Sequence, residues 1–163
     1  MKSIIILIFS AVGLLLNINI SIADDSCVFD KNYFSNKTYK TKKLVKSYVW
    51  NESNQTANIL TSSGSLITAQ HWDCRHIGIK AIMLLNSVEA GNESIVRNKL
   101  SEIIEIFVRK QDRSSVQQSV TNMKCLDETR CRHNFTIEGY SEFYIETERQ
   151  QDSMTILLKY YSS

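Results

Sequence analysis

The sequence contains no proline and has only five glycines, four cysteines and three histidines among its 163 residues. Without proline there is no proline-rich hinge, and we find no low-complexity segment that would act as a linker. The chain also lacks a G-x-S-x-G elbow, a phosphate-binding glycine loop and an H-E-x-x-H zinc motif. The sequence therefore offers no motif for the common hydrolase, nucleotide-binding or metalloprotease classes, and we predict a protein without catalytic activity or cofactor.

The first 23 residues have the features of a cleaved secretory signal peptide. Lys2 supplies a positive charge, residues 4–16 are almost entirely apolar, and Ser21 and Ala23 are small residues at the positions that signal peptidase recognises. The apolar run is too short for a membrane-spanning helix. We therefore expect cleavage after Ala23, no membrane anchor, and a location in the periplasm or outside the cell. The abundance of isoleucine, lysine, asparagine and serine favours a bacterial source.

The remaining residues, 24–163, have the length of one domain. The formal charge of the whole chain is +2, and removal of Lys2 with the signal peptide brings it closer to neutral. A nearly neutral chain gives no electrostatic reason to bind nucleic acid. We expect a single disulfide-braced domain that has no nucleic-acid partner, while its oligomeric state stays open.

An exported chain with four cysteines indicates two disulfides. Cys125 and Cys131 enclose a short charged segment and form the natural local pair, which leaves Cys27 for Cys74. Four cysteines allow three connectivities, so spacing alone leaves the pairing open.

Residues 67–85 are the longest strand-like stretch and predict a central strand. Their alternation places His71 and Trp72 on opposite faces, and we expect Trp72 inside and His71 outside. The pattern shifts by one residue beside Gly78, which predicts a β-bulge. Beyond Gly78 the stretch is apolar on both faces, which predicts a strand covered on both sides.

Strand patterns also occupy residues 39–50, 56–61, 133–146 and 154–161. A helix is predicted over residues 92–110, with Asn92 as its N-cap, Arg109 and Lys110 in its last turn, and Glu102 on its polar side. A second, shorter helix is predicted over residues 114–123. The expected fold is α+β: a mainly antiparallel sheet, built from a meander and a C-terminal hairpin, packed against one long helix and a second short helix.

A cluster of potential metal ligands, His71, Asp73, Cys74 and His76, does not predict a metal site. Along one strand His71 and Asp73 face away from the other two, so the four side chains cannot surround one ion. Cys74 could act as a nucleophile only as a free thiol beside a base such as His133. A hydrolase that uses Cys74 and His133 is therefore retained as the second alternative.

Two surface features are candidates for recognition. The first is the charged segment between the two nearby cysteines, because a loop closed by a disulfide loses little entropy when it binds. The second is an alternating row of tyrosine and glutamate on the outer face of the strand at 133–146. The predicted binding residues are Asp127, Glu128, Arg130, Arg132, Tyr140, Glu142 and Tyr144.

These features together favour a protein that binds another protein in the cell envelope. The concrete form is an inhibitor or immunity factor against a cell-wall hydrolase or a toxin. The alternative is a periplasmic module that binds a small molecule or cell-wall fragment in a pocket between sheet and helix. A pocket lined by Trp50, Trp72 and tyrosines would favour this alternative, and a solid apolar core would count against it.

Overall fold

The computed structural model describes residues 34–73, 77–137 and 141–162. Within these ranges the chain forms eight strands and three helices. The strands are β1 (Val45–Asn51), β2 (Thr56–Thr61), β3 (Leu66–Asp73), β4 (Ile77–Asn86), β5 (Lys124–Cys125), β6 (Arg130–Ile137), β7 (Ser141–Gln150) and β8 (Ser153–Ser162). The helices are α1 (Ser87–Ala90), α2 (Glu93–Phe107) and α3 (Arg113–Thr121).

The described strands form one antiparallel sheet in the order β1-β2-β3-β4-β8-β7-β6-β5. The first four strands are a meander, and the helices follow β4 before the chain returns to the far edge of the sheet. The last described strand, β8, then pairs with both β4 and β7 in the middle. The predicted α+β class, with a mainly antiparallel sheet and helices, is confirmed.

One face of the sheet packs against the helices and forms the hydrophobic core. Ile59, Ile67 and Ile145 come from the sheet, and Ile103 and Ile104 come from α2; each is at most 1% exposed. Burial of an aliphatic side chain of this size contributes about 1.5–3 kcal/mol. The apolar stripe of α2 therefore fixes the helix on this face of the sheet.

The long helix matches its prediction at the start and differs at the end. Asn92 is the N-cap, and its side-chain oxygen accepts a hydrogen bond from the backbone N–H of Ile95 at 3.2 Å. Val108 adopts an extended conformation, so the helix ends at Phe107. Arg109 and Lys110, which we predicted in the last turn, therefore lie beyond the end of the helix. The predicted second helix corresponds to α3, which begins at Arg113, one residue before the predicted start, and ends at Thr121, two residues before the predicted end.

The predicted single strand over residues 67–85 is wrong, because this stretch forms the hairpin of β3 and β4. Trp72 pairs with Gly78 and Asp73 with Ile77 across the two strands. The shift in apolar parity beside Gly78 thus marks a second strand with its own alternation. His71 is buried at 2% exposure, whereas Trp72 lies on the opposite face, the reverse of the expectation. Alternation shows which residues share a face but does not show which face is inward.

The strand predicted over residues 133–146 is likewise two strands, β6 and β7, paired with Ile137 opposite Ser141. The strand predicted over residues 39–50 begins only at Val45, and Tyr39 precedes it in a turn-rich segment. The pattern over residues 133–146 missed the strand reversal, and the pattern over residues 39–50 wrongly extended the strand over residues 39–44, which lie in turns.

Among the described residues, no element covers the outer face of β2, β3, β4 and β8. Leu66 and Leu84 on this face are 68% and 63% exposed. The prediction that the second half of the 67–85 stretch is covered on both sides is therefore wrong for the described part of the chain. We call this side of the sheet the open face.

Candidate functional site

The hairpin of β5 and β6 is closed by a disulfide. Cys125 and Cys131 are paired across the two strands, and their sulfur atoms are 2.01 Å apart. The predicted local disulfide is therefore confirmed. Cys27 and Cys74, the other predicted disulfide residues, lie outside the described residues. We call residues 125–131 the pinned loop.

Asp127 organises the interior of the pinned loop. Its Oδ1 atom accepts hydrogen bonds from the backbone N–H of Thr129 at 2.7 Å, from the Thr129 hydroxyl at 2.6 Å and from the backbone N–H of Arg130 at 2.8 Å. The bonds from Thr129 are the main cause of a lowered pKa for Asp127. Asp127 was predicted as a contact residue. In the structure its carboxylate stabilises the conformation of the loop through these hydrogen bonds.

Two further backbone hydrogen bonds hold the pinned loop, one within the loop and one to β7. The backbone N–H of Leu126 donates to the carbonyl of Arg130 at 2.8 Å, and the backbone N–H of Arg149 on β7 donates to the carbonyl of Thr129 at 2.6 Å. The side chains of Leu126, which is 52% exposed, and Glu128 are both exposed to solvent. Glu128 has no hydrogen bond or ion pair within the described part of the chain. The loop therefore presents one apolar and one acidic side chain from a fixed backbone.

The other predicted binding residues continue from the pinned loop across the open face. Arg130 lies opposite Glu148 and donates a hydrogen bond to it, which raises the pKa of Arg130. Arg132 lies opposite Glu146, and the Tyr144 hydroxyl donates to Glu146. We call this set the charged face; it comprises Arg130, Arg132, Glu142, Tyr144, Glu146, Glu148 and Lys159.

The charged face unites the two features that the sequence suggested separately. Lys159 Nζ lies 5.3 Å from the centre of the Tyr144 ring, a cation–π contact that fixes the ring against β8. The register of β6 and β7 thus brings the disulfide loop and the tyrosine–glutamate row onto one continuous surface. Tyr140, also predicted as a binding residue, lies outside the described residues.

Sequence reasoning missed an apolar patch beside the charged face. Leu60 pairs with Leu66, and Ile82 pairs with Leu157, on the same side of the sheet. A groove of about 600 Å³ follows this patch along Leu66, Ile82 and Leu84. The sequence does show this patch as a second apolar row in β4, but we interpreted that row as evidence that the strand is covered on both sides.

A polar network that the sequence did not predict joins the β2–β3 turn to α2. Lys99 Nζ donates to the hydroxyls of Ser63 at 2.8 Å and Ser65 at 2.6 Å. The Ser63 hydroxyl shares its one hydrogen between the two carboxylate oxygens of Glu102, at 2.9 and 2.8 Å. The side chains of Lys99 and Glu102 are 11% and 9% exposed. Glu102, expected on the solvent side of the helix, is therefore buried because the serine-rich turn supplies its partners.

A serine beside a lysine can form a nucleophile and its base. Here Lys99 Nζ donates to both serine hydroxyls and lies 3.7 Å from Glu102, so it acts as a hydrogen-bond donor toward the serines and not as their base. The backbone N–H groups of Gly64 and Ser65 already donate to the carbonyl and hydroxyl of Thr61 at 3.1 and 3.0 Å. These two groups are therefore not available as an oxyanion hole. The network acts as a polar connection between turn and helix.

His71 is held as a neutral side chain in the core. Its Nδ1 atom lies 3.0 Å from the carbonyl oxygen of Gln55, which can only accept, so Nδ1 carries the proton. Its Nε2 atom then accepts from the hydroxyl of Tyr39, whose pKa is raised by burial. Burial also lowers the pKa of His71 to about 4. With both ring nitrogens engaged, His71 has no lone pair for a metal ion.

The described residues contain no group of three or more potential protein ligands for a metal ion. Cys74 and His76 lie outside the described residues. His133 is half-buried on β6, where its ring stacks on Phe135 with 5.2 Å between ring centres.

A pocket of about 320 Å³ lies between the helices and the sheet, next to the pinned loop. Leu100, Thr147 and Met154 are buried residues at its base. Three exposed charged residues also line it, namely Glu93, Arg97 and Arg149. The remaining lining residues are Ala90, Gly91, Val96, Val120, Thr121, Met123 and the two cysteines of the Cys125–Cys131 disulfide.

No protein-family model, curated protein or solved structure matches this chain. In the part of the chain that the structure describes, no helix has both the length and the apolar character needed to cross a bilayer.

Proposed function

We propose that the chain is an exported, non-enzymatic protein that binds another protein through the pinned loop. The proposed partner is a cell-wall hydrolase or a toxin of the envelope, which the chain inhibits or neutralises. The observation that carries this proposal is the pinned loop itself, where a disulfide and the bonds to Asp127 hold the backbone while Leu126 and Glu128 project.

A loop with this construction suits insertion into an enzyme cleft. Its backbone is already ordered, so binding immobilises few additional groups, and the entropy lost on association is small. Leu126 offers an apolar contact, and Glu128 offers a carboxylate without a partner among the described residues. The complementary site is therefore a cleft with an apolar wall and a lysine or arginine at its base.

The charged face provides the surroundings of this contact. Arg130 and Arg132 on β6 alternate with Glu148 and Glu146 on β7, so charges of both signs lie next to each other. Such a surface favours a partner with the matching alternation and disfavours others, which contributes to specificity more than to affinity. Tyr144 adds contact area at small entropic cost.

Photo-crosslinking of the oxidised protein in an envelope extract tests this proposal. A photoreactive amino acid at position 128 should crosslink one stoichiometric partner, identified by mass spectrometry. The same amino acid at position 105, an exposed position on α2, should not. Equal crosslinking from both positions, or none from position 128, would overturn the proposal.

A pair of double variants then measures the contribution of the loop. Leu126→Ala with Glu128→Gln should weaken binding of the captured partner at least about tenfold, because both central contacts are removed. The matched control, Val88→Ala with Glu105→Gln, makes the same kinds of change at exposed positions in the helical region. The control should bind like the unmodified protein.

A second candidate function is small-molecule binding, and the pocket beside the pinned loop favours it. The pocket lies between helix and sheet, as this alternative requires, and its size is at the lower end of the usual range for small-molecule sites. Trp50, Trp72 and the tyrosines do not line it. The candidate ligand is therefore small and is recognised mostly by aliphatic side chains.

A further inference from the structure

The base of the pocket is apolar apart from the hydroxyl of Thr147. Leu100 is 2% exposed and Met154 is 8% exposed, and Val96, Val120 and Met123 surround them. An apolar cavity of this kind holds water poorly, because water needs two or more polar partners to be stable there. Its natural occupant is a hydrocarbon chain or ring.

The rim of the pocket carries a positive charge. Glu93 is paired with Arg97, whose terminal nitrogen lies 2.6 Å from the carboxylate. Arg149 donates one hydrogen bond to the carbonyl of Ala90, and its other guanidinium N–H groups have no partner among the described residues. The two cations and one anion leave a net charge of +1, next to the positive end of α2.

We propose that this pocket binds a small amphiphile with an apolar chain and a carboxylate head, the chain against Leu100 and Met154 and the carboxylate at Arg149. This proposal names the ligand class of the second candidate function and does not depend on the pinned-loop proposal. An arginine with unused donors recognises a carboxylate through charge-assisted hydrogen bonds. The apolar base provides no partner for a second polar group apart from the hydroxyl of Thr147.

The disulfide connects this pocket to the pinned loop. Cys125 and Cys131 line the pocket on one side and close the pinned loop on the other. A bound chain would cover the inner side of the disulfide. We therefore expect occupancy to slow attack of a reducing agent on this bond.

Titration calorimetry of the oxidised protein with decanoate and with decanol tests the ligand class. Decanoate should bind more tightly than decanol by about tenfold, because its carboxylate can form a charge-assisted hydrogen bond with Arg149. Arg149→Met, which keeps the side-chain length and removes the charge, should abolish this preference. The control Arg132→Met on the charged face should preserve it.

Two further variants fill the pocket and test its location. Val96→Trp and Val120→Phe should each weaken binding of both probes, and thermal unfolding identifies which of the two variants is folded.

A second measurement uses the unmodified protein. Decanoate should slow the reduction of Cys125–Cys131 by dithiothreitol, and mass spectrometry of alkylated Cys125 measures the rate of this reduction.

The outcomes separate the proposals. Equal binding of decanoate and decanol would overturn the carboxylate assignment but retain an apolar ligand site. Binding of neither probe, with no protection of the disulfide, would overturn the pocket as a ligand site and with it the second candidate function. Crosslinking from position 128 would be unchanged in either case, so the pinned-loop proposal is judged separately.

Discussion

The buried histidine predicts a specific dependence of stability on pH. His71 is 2% exposed, with Phe34 packed against its ring at 4.6 Å between ring centres and Trp50 at 5.1 Å. Protonation would place a charge in this aromatic environment and would also remove the acceptor for the hydroxyl of Tyr39. The folded protein therefore resists protonation of His71.

The magnitude follows from the two pKa values. Burial lowers the pKa of His71 from 6.5 to about 4, and the hydrogen bond to the Gln55 carbonyl acts in the opposite direction. Between these values the unfolded chain binds a proton at this position and the folded chain does not. The contribution of His71 to the free energy of unfolding is therefore at its maximum above pH 6.5. It decreases as the pH falls toward 4, by about 3 kcal/mol in all.

Urea unfolding at pH 7.5 and pH 4.5 measures this loss when it is compared with a His71→Gln variant. Glutamine keeps one N–H donor for Gln55 and one acceptor for Tyr39, but it does not titrate. Carboxylates contribute to the pH dependence of both proteins and cancel in the difference. The stability advantage of histidine over glutamine should shrink by about 2–3 kcal/mol between the two pH values.

The reasoning fails if the two proteins lose the same stability on acidification. An equal loss would mean that the pKa of His71 is the same in the folded and unfolded states, so that its burial between Gln55 and Tyr39 does not oppose protonation.

Three further predictions concern positions away from the pinned loop. Glu102→Gln should cost about 3 kcal/mol of unfolding free energy, because it leaves the ammonium of Lys99 without its closest carboxylate; a loss below about 1 kcal/mol would show that the network is solvated. Gly78→Ala places a methyl group 2.1 Å from the ring of Trp72. It should cost about 1–3 kcal/mol and shift the tryptophan emission, whereas an unchanged spectrum would contradict the packing. Leu84→Ser on the open face should change stability by no more than about 0.5 kcal/mol, and a loss near that of a core substitution would mean that the face is covered.

Local chemistry explains what could be predicted from the sequence. The start of α2 follows from Asn92, whose side chain satisfies a backbone N–H that the helix leaves free, and the apolar stripe then identifies its buried side. The pinned loop follows from two cysteines six residues apart. These features depend on neighbours in the chain, and neighbours are visible in a sequence.

The missed features depend on contacts between distant residues. The reversal between β3 and β4 follows Asp73 and lacks the glycine, proline or asparagine that usually marks a turn, so the pattern looked continuous. From the helix pattern alone, Glu102 is expected to face solvent. It is buried because the fold places Ser63, 39 residues away in the sequence, next to its carboxylate. The pairing of Arg132 with Glu146 requires the register of β6 against β7, which alternation alone does not supply.

The position of β8 in the middle of the sheet has a consequence for folding kinetics. Asn86 pairs with Ser153 and Ile77 with Ser162, so the contacts that join β4 to β8 span 67 to 85 residues of chain. Neither the meander nor the β6–β7 hairpin contacts the other within the sheet until β8 is placed between them. Such long-range pairing slows folding. Since the chain has no proline, prolyl isomerisation is absent, and a slow refolding phase of the oxidised protein would report directly on closure of the sheet around β8.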